Sequence, residues 1–469
     1  MKGLGAMGWQ NWFSSRKMRH AALHQDQDGL VPRLPSGRGR DRQDDRLPRF
    51  QGTAGDQIRS GTRNSGLDRI RFHLRNAFTP AQPVFSHKMF AGRTEVLRTL
   101  IRSIEDQRLH VVLYGDRGIG KTSLLHILAQ LARDARYIVR YASCGEETEF
   151  SDMMRAIARD IPLLYHADFA PTSAEIESGR SLADLLPKGT LTVPQISDLF
   201  AKVSNTRVLL ILDEFDRAQS HSFRRSIAEL IKNLSDRSSR VQIVIAGVAA
   251  NLTELIEHIP SIRRNILGLQ VPNMSNSEIE ELIHNGEKIC GMTFDRDAIA
   301  FISAVAYGSP YIASLLGQHA GLAAVDRQAT AVEKADVAEA INRSFDEIRQ
   351  RVSSLSIYQA SKAKADGHGA NLGLLARLAL HYGGRVLPQQ ADEVIRKQGQ
   401  GMAYMQKIAA EYGLLEPLAN DPAGAFHFSE EGVAVYLWIE LAQAHFAGSQ
   451  SNARLLDALL DRYAVAQNA

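Results

Sequence analysis

The sequence predicts an α/β fold: a parallel sheet flanked by helices, followed by an all-helical segment and a C-terminal winged-helix-like segment. Three observations carry this. The run VVLYG, ending at Gly115, breaks into a glycine-rich loop and resumes as a helical pattern. A second apolar run, RVLLILDEFD at 207–216, ends in an acidic pair. From about residue 275 to 351 the apolar spacing becomes wholly helical.

The loop reads Gly115-Asp116-Arg117-Gly118-Ile119-Gly120-Lys121-Thr122, followed by Ser123, and fits G-x-x-x-x-G-K-[ST] at every fixed position. Its glycines free the backbone to curl so that successive N–H groups point at phosphate oxygens. Lys121 places a point charge on the β and γ phosphates, and Thr122 offers a hydroxyl to Mg²⁺. The helix that follows aims the positive end of its dipole at the same anion. A strand-like run at 110–114 precedes the loop, and apolar residues at Leu124, Leu125, Ile127, Leu128 and Leu131 follow at helical spacing. This strand, loop and helix form a P-loop, and the chain is expected to bind a nucleoside triphosphate.

In 207–216, five consecutive apolar residues make a buried strand with Asp213 and Glu214 at its C-terminal end, the edge where parallel sheets gather ligands. Asp213 is the expected Mg²⁺ partner of the Walker B type. Glu214 is placed to orient and deprotonate a water, the base that phosphoryl transfer to water requires. Counting from Asp213, the fourth residue is Asp216, where GTPases have the glycine of D-x-x-G, and no N-K-x-D occurs, which favours ATP over GTP; the L-S-G-G-Q of the transporter ATPases does not occur either.

The chain has 469 residues, enough for two or three domains, with hydrophobic and charged fractions of 44% and 23% that are ordinary for a water-soluble protein. No apolar run reaches the ~20 residues of a membrane helix. Two cysteines, Cys144 and Cys290, are too few for a disulfide framework and are expected to be small buried residues. With no secretory signal at the start, the expected compartment is the cytoplasm. Residues 1–66 carry twelve Lys/Arg against six Asp, leaving the rest of the chain at −3 of the total +3. This basic tail, rich in Gly, Pro and Arg, reads as disordered, either a loose nucleic-acid contact or a solvated segment without a role.

The ATPase core is expected over 67–273. Residues 67–78 have helical apolar spacing ended by Thr79-Pro80, and 94–107 read as a further helix. Residues 137–142 alternate as a strand and 152–161 as a helix. The stretch 162–194, rich in Pro, Ser, Gly and Thr, reads as an exposed insertion. An amphipathic helix over 220–234 and strands over 241–246 and 266–271 complete the core.

The element Phe90-Ala91-Gly92-Arg93-Thr94-Glu95 ahead of the P-loop strand resembles the F-x-G-R-x-E start of the ATPase module in origin-recognition-type AAA+ proteins and in signal-transduction STAND ATPases. The resemblance spans about 90–353. It implies that Val84, Phe90 and Gly92 lie near adenine and that a polar sensor of the γ phosphate follows the 241–246 strand. Asn251 is the nearest candidate, with an N-cap for the helix after it as the alternative. It also implies an arginine finger from Arg263 or Arg264, residues that otherwise serve as surface ion-pair formers. The helical lid, 274–353, contains Gly308-Ser309-Pro310, which resembles the G-x-P element of STAND proteins, where proline packs near adenine; a plain helix start explains Pro310 equally well.

Over 354–469, a Ser-rich and then Lys/Gly-containing break precedes helices at 372–381, 389–397 and 401–412 and a hairpin signal around 421–424, the order of a winged helix. Nine Lys/Arg against eleven Asp/Glu argue against an extensive phosphate footprint there, so DNA and a protein remain alternative partners. Together these readings imply a Mg²⁺-dependent ATPase, a possible homo-oligomer without membrane contact, acting as a DNA-associated machine or as a signalling switch or scaffold with little turnover.

Overall fold

The computed structural model describes residues 65–169, 179–237, 239–249, 252, 264–418, 421 and 423–446. The basic tail up to residue 64, Asn251 and Arg263 lie outside the described residues.

Five strands form the central sheet: β1 (His110–Gly115), β2 (Ile138–Ser143), β3 (Val208–Asp213), β4 (Val241–Val248) and β5 (Ile266–Gln270). All pair parallel, in the order β2-β3-β4-β1-β5. Side chains alternate between faces with period two. Val112, Leu210, Leu212, Ile243 and Ile245 therefore pack in the core beneath helices Phe150–Arg159, Val193–Ala201 and His221–Asp236. Val111, Leu113, Leu209, Ile211 and Val244 pack on the opposite side with helices Thr94–Glu105 and Lys121–Asp134. Because both faces are covered, all six residues of β3 are buried, which explains its unbroken apolar run. β4 lies between β3 and β1, so the ends of those two strands flank its C-terminus and define the topological switch point where such sheets take ligands.

His110 opens β1 and is 2% exposed; its Nδ1 accepts the Ile243 N–H at 2.9 Å. Burial lowers its pKa to about 4, so the ring is a neutral acceptor within the sheet.

The 162–194 stretch is not simply exposed, as the sequence composition led us to expect. Leu163, Leu182 and Leu191 are each 4% exposed or less, and an antiparallel bridge joins Pro162 to Ser181. Isolated leucines anchor a polar stretch here, and a composition average hides them.

After β5 come helices Asn276–Cys290, Arg296–Ala306, Pro310–Asp326 and Lys334–Arg349. Ser275 and Glu278 form a capping box on the first, and Ser309 caps the third, with Pro310 at its start. The helix Ser65–Ala77, which the sequence grouped with the sheet, packs on helices Asn276–Cys290 and Pro310–Asp326 instead. Phe78, just past its end, fills a groove that only glycine leaves open. A Cβ on Gly286 would lie 2.2 Å from the Phe78 ring, and one on Gly317 2.8 Å.

The C-terminal part has helices Ser354–Ala365, Gly369–His381, Pro388–Ile395, Gly401–Tyr412 and Glu431–Phe446. Strands Leu415–Pro417 and Phe426–Phe428 form the expected hairpin, and Arg385–Val386 pairs with the other edge of Phe426–Phe428. Where the sequence led us to expect a break from 354, there is a helix: Ser353 caps it through the Ser356 N–H at 3.1 Å, and Glu430 accepts from the Ser356 hydroxyl at 2.7 Å. Serines at a helix start satisfy orphan N–H groups, so a Ser-rich stretch here begins a helix. Trp438 Nε1 donates to Val305 O at 2.8 Å, and one continuous apolar core joins the helical and C-terminal parts. Cys144 and Cys290 are both buried and unpaired with each other. Among the described residues, no helix is long and apolar enough to cross a membrane.

Candidate functional site

A cleft of about 570 Å³ opens at the C-terminal edge of the sheet. Its floor is the P-loop: Gly118 (φ 73°) and Gly120 (φ 93°) adopt left-handed backbone conformations there. Pro310 and Tyr311, at the start of a lid helix, stand 3.8 Å from where Cβ atoms on Gly120 and Gly118 would be. The loop is thus flanked by the start of the lid helix at ordinary contact distance.

Lys121 is 8% exposed, and its Nζ donates to Gly115 O at 2.8 Å and Asp116 O at 2.6 Å. Burial lowers its pKa to about 8, opposed by the charges of Asp116, Asp216 and Asp213. Thr122 Oγ1 donates to Asp213 Oδ2 at 2.8 Å, joining the P-loop helix to the tip of β3. Asp213 is itself 4% exposed, and its Oδ1 accepts the Glu214 N–H at 2.8 Å. Glu214 adopts a left-handed conformation (φ 53°), which is uncommon for a residue with a side chain. Its Oε2 accepts from Ser143 Oγ at 2.8 Å and from Arg217 Nη1 at 3.1 Å.

Lys121, Thr122, Ser123, Asp213 and Glu214 line the cleft together with Arg117, Gly118, Gly120 and Pro310. The remaining P-loop positions act from behind. Ile119 is 4% exposed and packs in the core, Gly115 lies against the Val271 carbonyl, and Asp116 turns towards Gly383. Of the residues that the family resemblance placed near a base, Val84 lines the cleft, tied by its N–H to Ser123 Oγ at 3.0 Å. Phe90 and Gly92 do not line it. Their backbones meet Asn285 and Glu281 of the first lid helix, because the left-handed turn at Gly92 and Arg93 directs this segment onto the lid. Arg264 is exposed and also outside the cleft lining.

Four contributors escaped the sequence reading. Tyr141 donates to Asp213 Oδ2, Ser143 holds Glu214, Arg217 pairs with Glu214, and Asp216 accepts the Val248 N–H at 2.8 Å. The strand period puts Tyr141 and Ser143 on one face of β2, but only the sheet order shows that this strand lies beside Asp213.

The residues present fit a nucleoside triphosphate with a divalent cation. The glycine cradle leaves room for an anion, a buried ammonium stands at its end, and a hydroxyl and a carboxylate that suit a hard cation stand together. The family model described as "AAA domain" matches residues 92–256, which include the P-loop, Asp213 and Glu214 but not Val84, Pro310 or the lid. This segment is an AAA domain. A search of curated proteins finds no match. Among solved structures, the chain is similar to the RuvB Holliday junction branch migration motor of Thermotoga maritima: 14% identity, TM-score 0.41, covering 76% of this chain and 96% of that one. It is similar also to Cdc6p of Pyrobaculum aerophilum, at 14% identity and TM-score 0.42, covering 79% and 98%. A third is the Aeropyrum pernix Orc1 protein in complex with DNA, at 14% identity and TM-score 0.40, covering 79% and 96%. In this chain the matched segment supplies strands β1 to β4, the P-loop and the acidic pair, while β5 and the helices after it, which supply the cover, follow that segment.

Proposed function

We propose that the AAA domain binds ATP with Mg²⁺ and hydrolyses it, and that the lid and C-terminal part change position with nucleotide state. The observation that carries this is the 2.8 Å bond between Thr122 and Asp213, which puts a metal-ligating hydroxyl beside an acidic strand tip at the mouth of a phosphate loop. Bound MgATP would supply the transferable phosphoryl group and the cation that offsets its charge. The chain's own residues do the rest. Loop N–H groups and Lys121 hold the phosphates, Thr122 and Asp213 hold the cation, and Ser123 fixes the strip that faces the base through Val84. Glu214 takes a proton from water once Ser143 and Arg217 release its carboxylate. An arginine from a second copy, Arg263 or Arg264, would complete the site on assembly, and Asn251 would sense the terminal phosphate.

The test is titration of the full chain with a fluorescent ATP analogue, with and without Mg²⁺, alongside phosphate release. Uptake with magnesium and slow release of phosphate are expected; absence of uptake would overturn the reading.

For the partner, we favour a protein over DNA. The C-terminal part resembles a winged helix in its order of elements, but Lys407 is the only Lys or Arg on helix Gly401–Tyr412, and it lies 3.8 Å from Glu411. Arg385 pairs with Asp421 beside the hairpin. The third helix and the hairpin thus offer few bases to neutralise phosphates. Salt-sensitive duplex binding by the full chain would reverse this preference and support a DNA-associated machine.

A further inference from the structure

Asp213 has one neighbour that the phosphate-loop pattern does not require. Tyr141, on β2, donates its hydroxyl to Asp213 Oδ2 at 2.5 Å, the same oxygen that accepts from Thr122. A carboxylate offers about four acceptor positions. Two on Oδ2 and one on Oδ1 are taken, by Tyr141, Thr122 and the Glu214 N–H, so both oxygens are held and the group cannot rotate freely.

The tyrosine is held as firmly as the acid. Its ring stacks on His126 of the P-loop helix, with centroids 4.7 Å apart and planes 12° from parallel, and the Phe85 ring also lies against His126, with centroids 4.3 Å apart. Tyr141 and Ser143 share a face of β2, and the parallel pairing of β2 with β3 sets Tyr141 opposite Ile211 and Ser143 opposite Asp213, so the hydroxyl spans two residues along the sheet to reach the carboxylate.

We propose that Tyr141 is a positioning residue: by fixing the Asp213 carboxylate in one orientation, it sets how strongly the site holds Mg²⁺. This rests on the reading of the cleft as a MgATP site. A purely structural tyrosine would use the same bond only to satisfy its own hydroxyl, and replacing it with phenylalanine would then leave metal use alone.

The experiment measures binding of a fluorescent ATP analogue to the full chain as Mg²⁺ is varied, and again in EDTA, for the parent, Tyr141→Phe and His126→Ala. Loss of one hydrogen bond to a charged acceptor is expected to raise the half-saturating Mg²⁺ of Tyr141→Phe by about tenfold. Its affinity in EDTA should stay within about twofold of the parent. His126→Ala, which keeps the hydroxyl but removes the stacked ring, should shift Mg²⁺ in the same direction and by less. Unchanged Mg²⁺ dependence in Tyr141→Phe, equal weakening with and without metal, or a larger shift in His126→Ala would each overturn the proposal while leaving the site reading intact. A parent that takes up no nucleotide in either condition overturns both.

Discussion

The carboxylate of Asp116, second residue of the P-loop, accepts a hydrogen bond from the backbone N–H of Gly383, in the C-terminal part of the chain. Burial pushes this carboxyl above its ordinary pKa, and Lys121 and the Gly383 N–H partly offset that. Nearby, Asn273 Nδ2 donates to His381 O at 2.8 Å, so two bonds, two residues apart on the C-terminal side, tie that part to the P-loop and to the segment after β5. The phosphate loop and the C-terminal region therefore share a joint.

Loosening that joint should open the cleft. Gly383 has φ 78°, and a Cβ there would lie 2.9 Å from Asp116 Oδ1. A side chain in the left-handed region costs about 1–2 kcal/mol before that clash is counted. Gly383→Ala is expected to speed release of a bound fluorescent nucleotide by roughly three- to tenfold, as one weakened bond to a charged group implies. Stopped-flow displacement measures this; an unchanged release rate would show that the joint does not govern the cleft.

Glu214 is held away from its proposed work by Ser143 and Arg217. Glu214→Gln should keep nucleotide affinity and lower single-turnover hydrolysis by about 10²–10⁴-fold. Arg217→Ala, which frees the carboxylate from an exposed ion pair, should raise the same rate by about two- to fivefold, since such pairs are worth little individually. Equal rates for Glu214→Gln and the parent would remove this residue from the mechanism.

Lys121 should make nucleotide affinity depend on pH. Its folded pKa is lowered to about 8, and phosphates attract only the charged form, so affinity should fall as pH rises through 8. The limiting slope is about tenfold per pH unit. Lys121→Arg, whose charge persists at every accessible pH, should bind more weakly but with a flatter profile. Equilibrium titrations between pH 7 and 9.5 distinguish these profiles, and a flat one for the parent would contradict the buried cation.

His110 should make the fold acid-sensitive. Its pKa is about 4 when folded against an ordinary 6.5, so the unfolded chain binds the proton more tightly. That contribution is fully present above pH 6.5 and is lost as pH falls towards 4; at pH 5 the loss is about 2 kcal/mol. Thermal melts at pH 7 and pH 5 measure it, and His110→Gln, which keeps an acceptor without a titrating ring, should narrow the difference between them.

The sheet, the loop and the acidic pair were legible because each is local: an apolar run, a glycine spacing and a strand tip all lie within a few residues. The partners of Asp213 and Glu214 were not, because Tyr141 and Ser143 precede them by about seventy positions and meet them only through the pairing of β2 with β3. The placement of 65–77 failed for a similar reason. Its apolar stripe announces a helix but not which surface it covers, and the glycines that admit Phe78 stand more than two hundred residues later. The helix at Ser354–Ala365 was hidden by serine, which starts helices as readily as it fills loops.

The anchoring of Phe78 among the lid helices bears on how the cleft moves. Residues 79–84 run from that anchor to Val84, which is pinned to Ser123 on the P-loop helix, and all six line the cleft. Six residues can span at most roughly 20 Å. The strip is thus a tether of limited length between two bodies, and a swing of the lid away from the sheet must draw it taut and carry one wall of the nucleotide chamber with it.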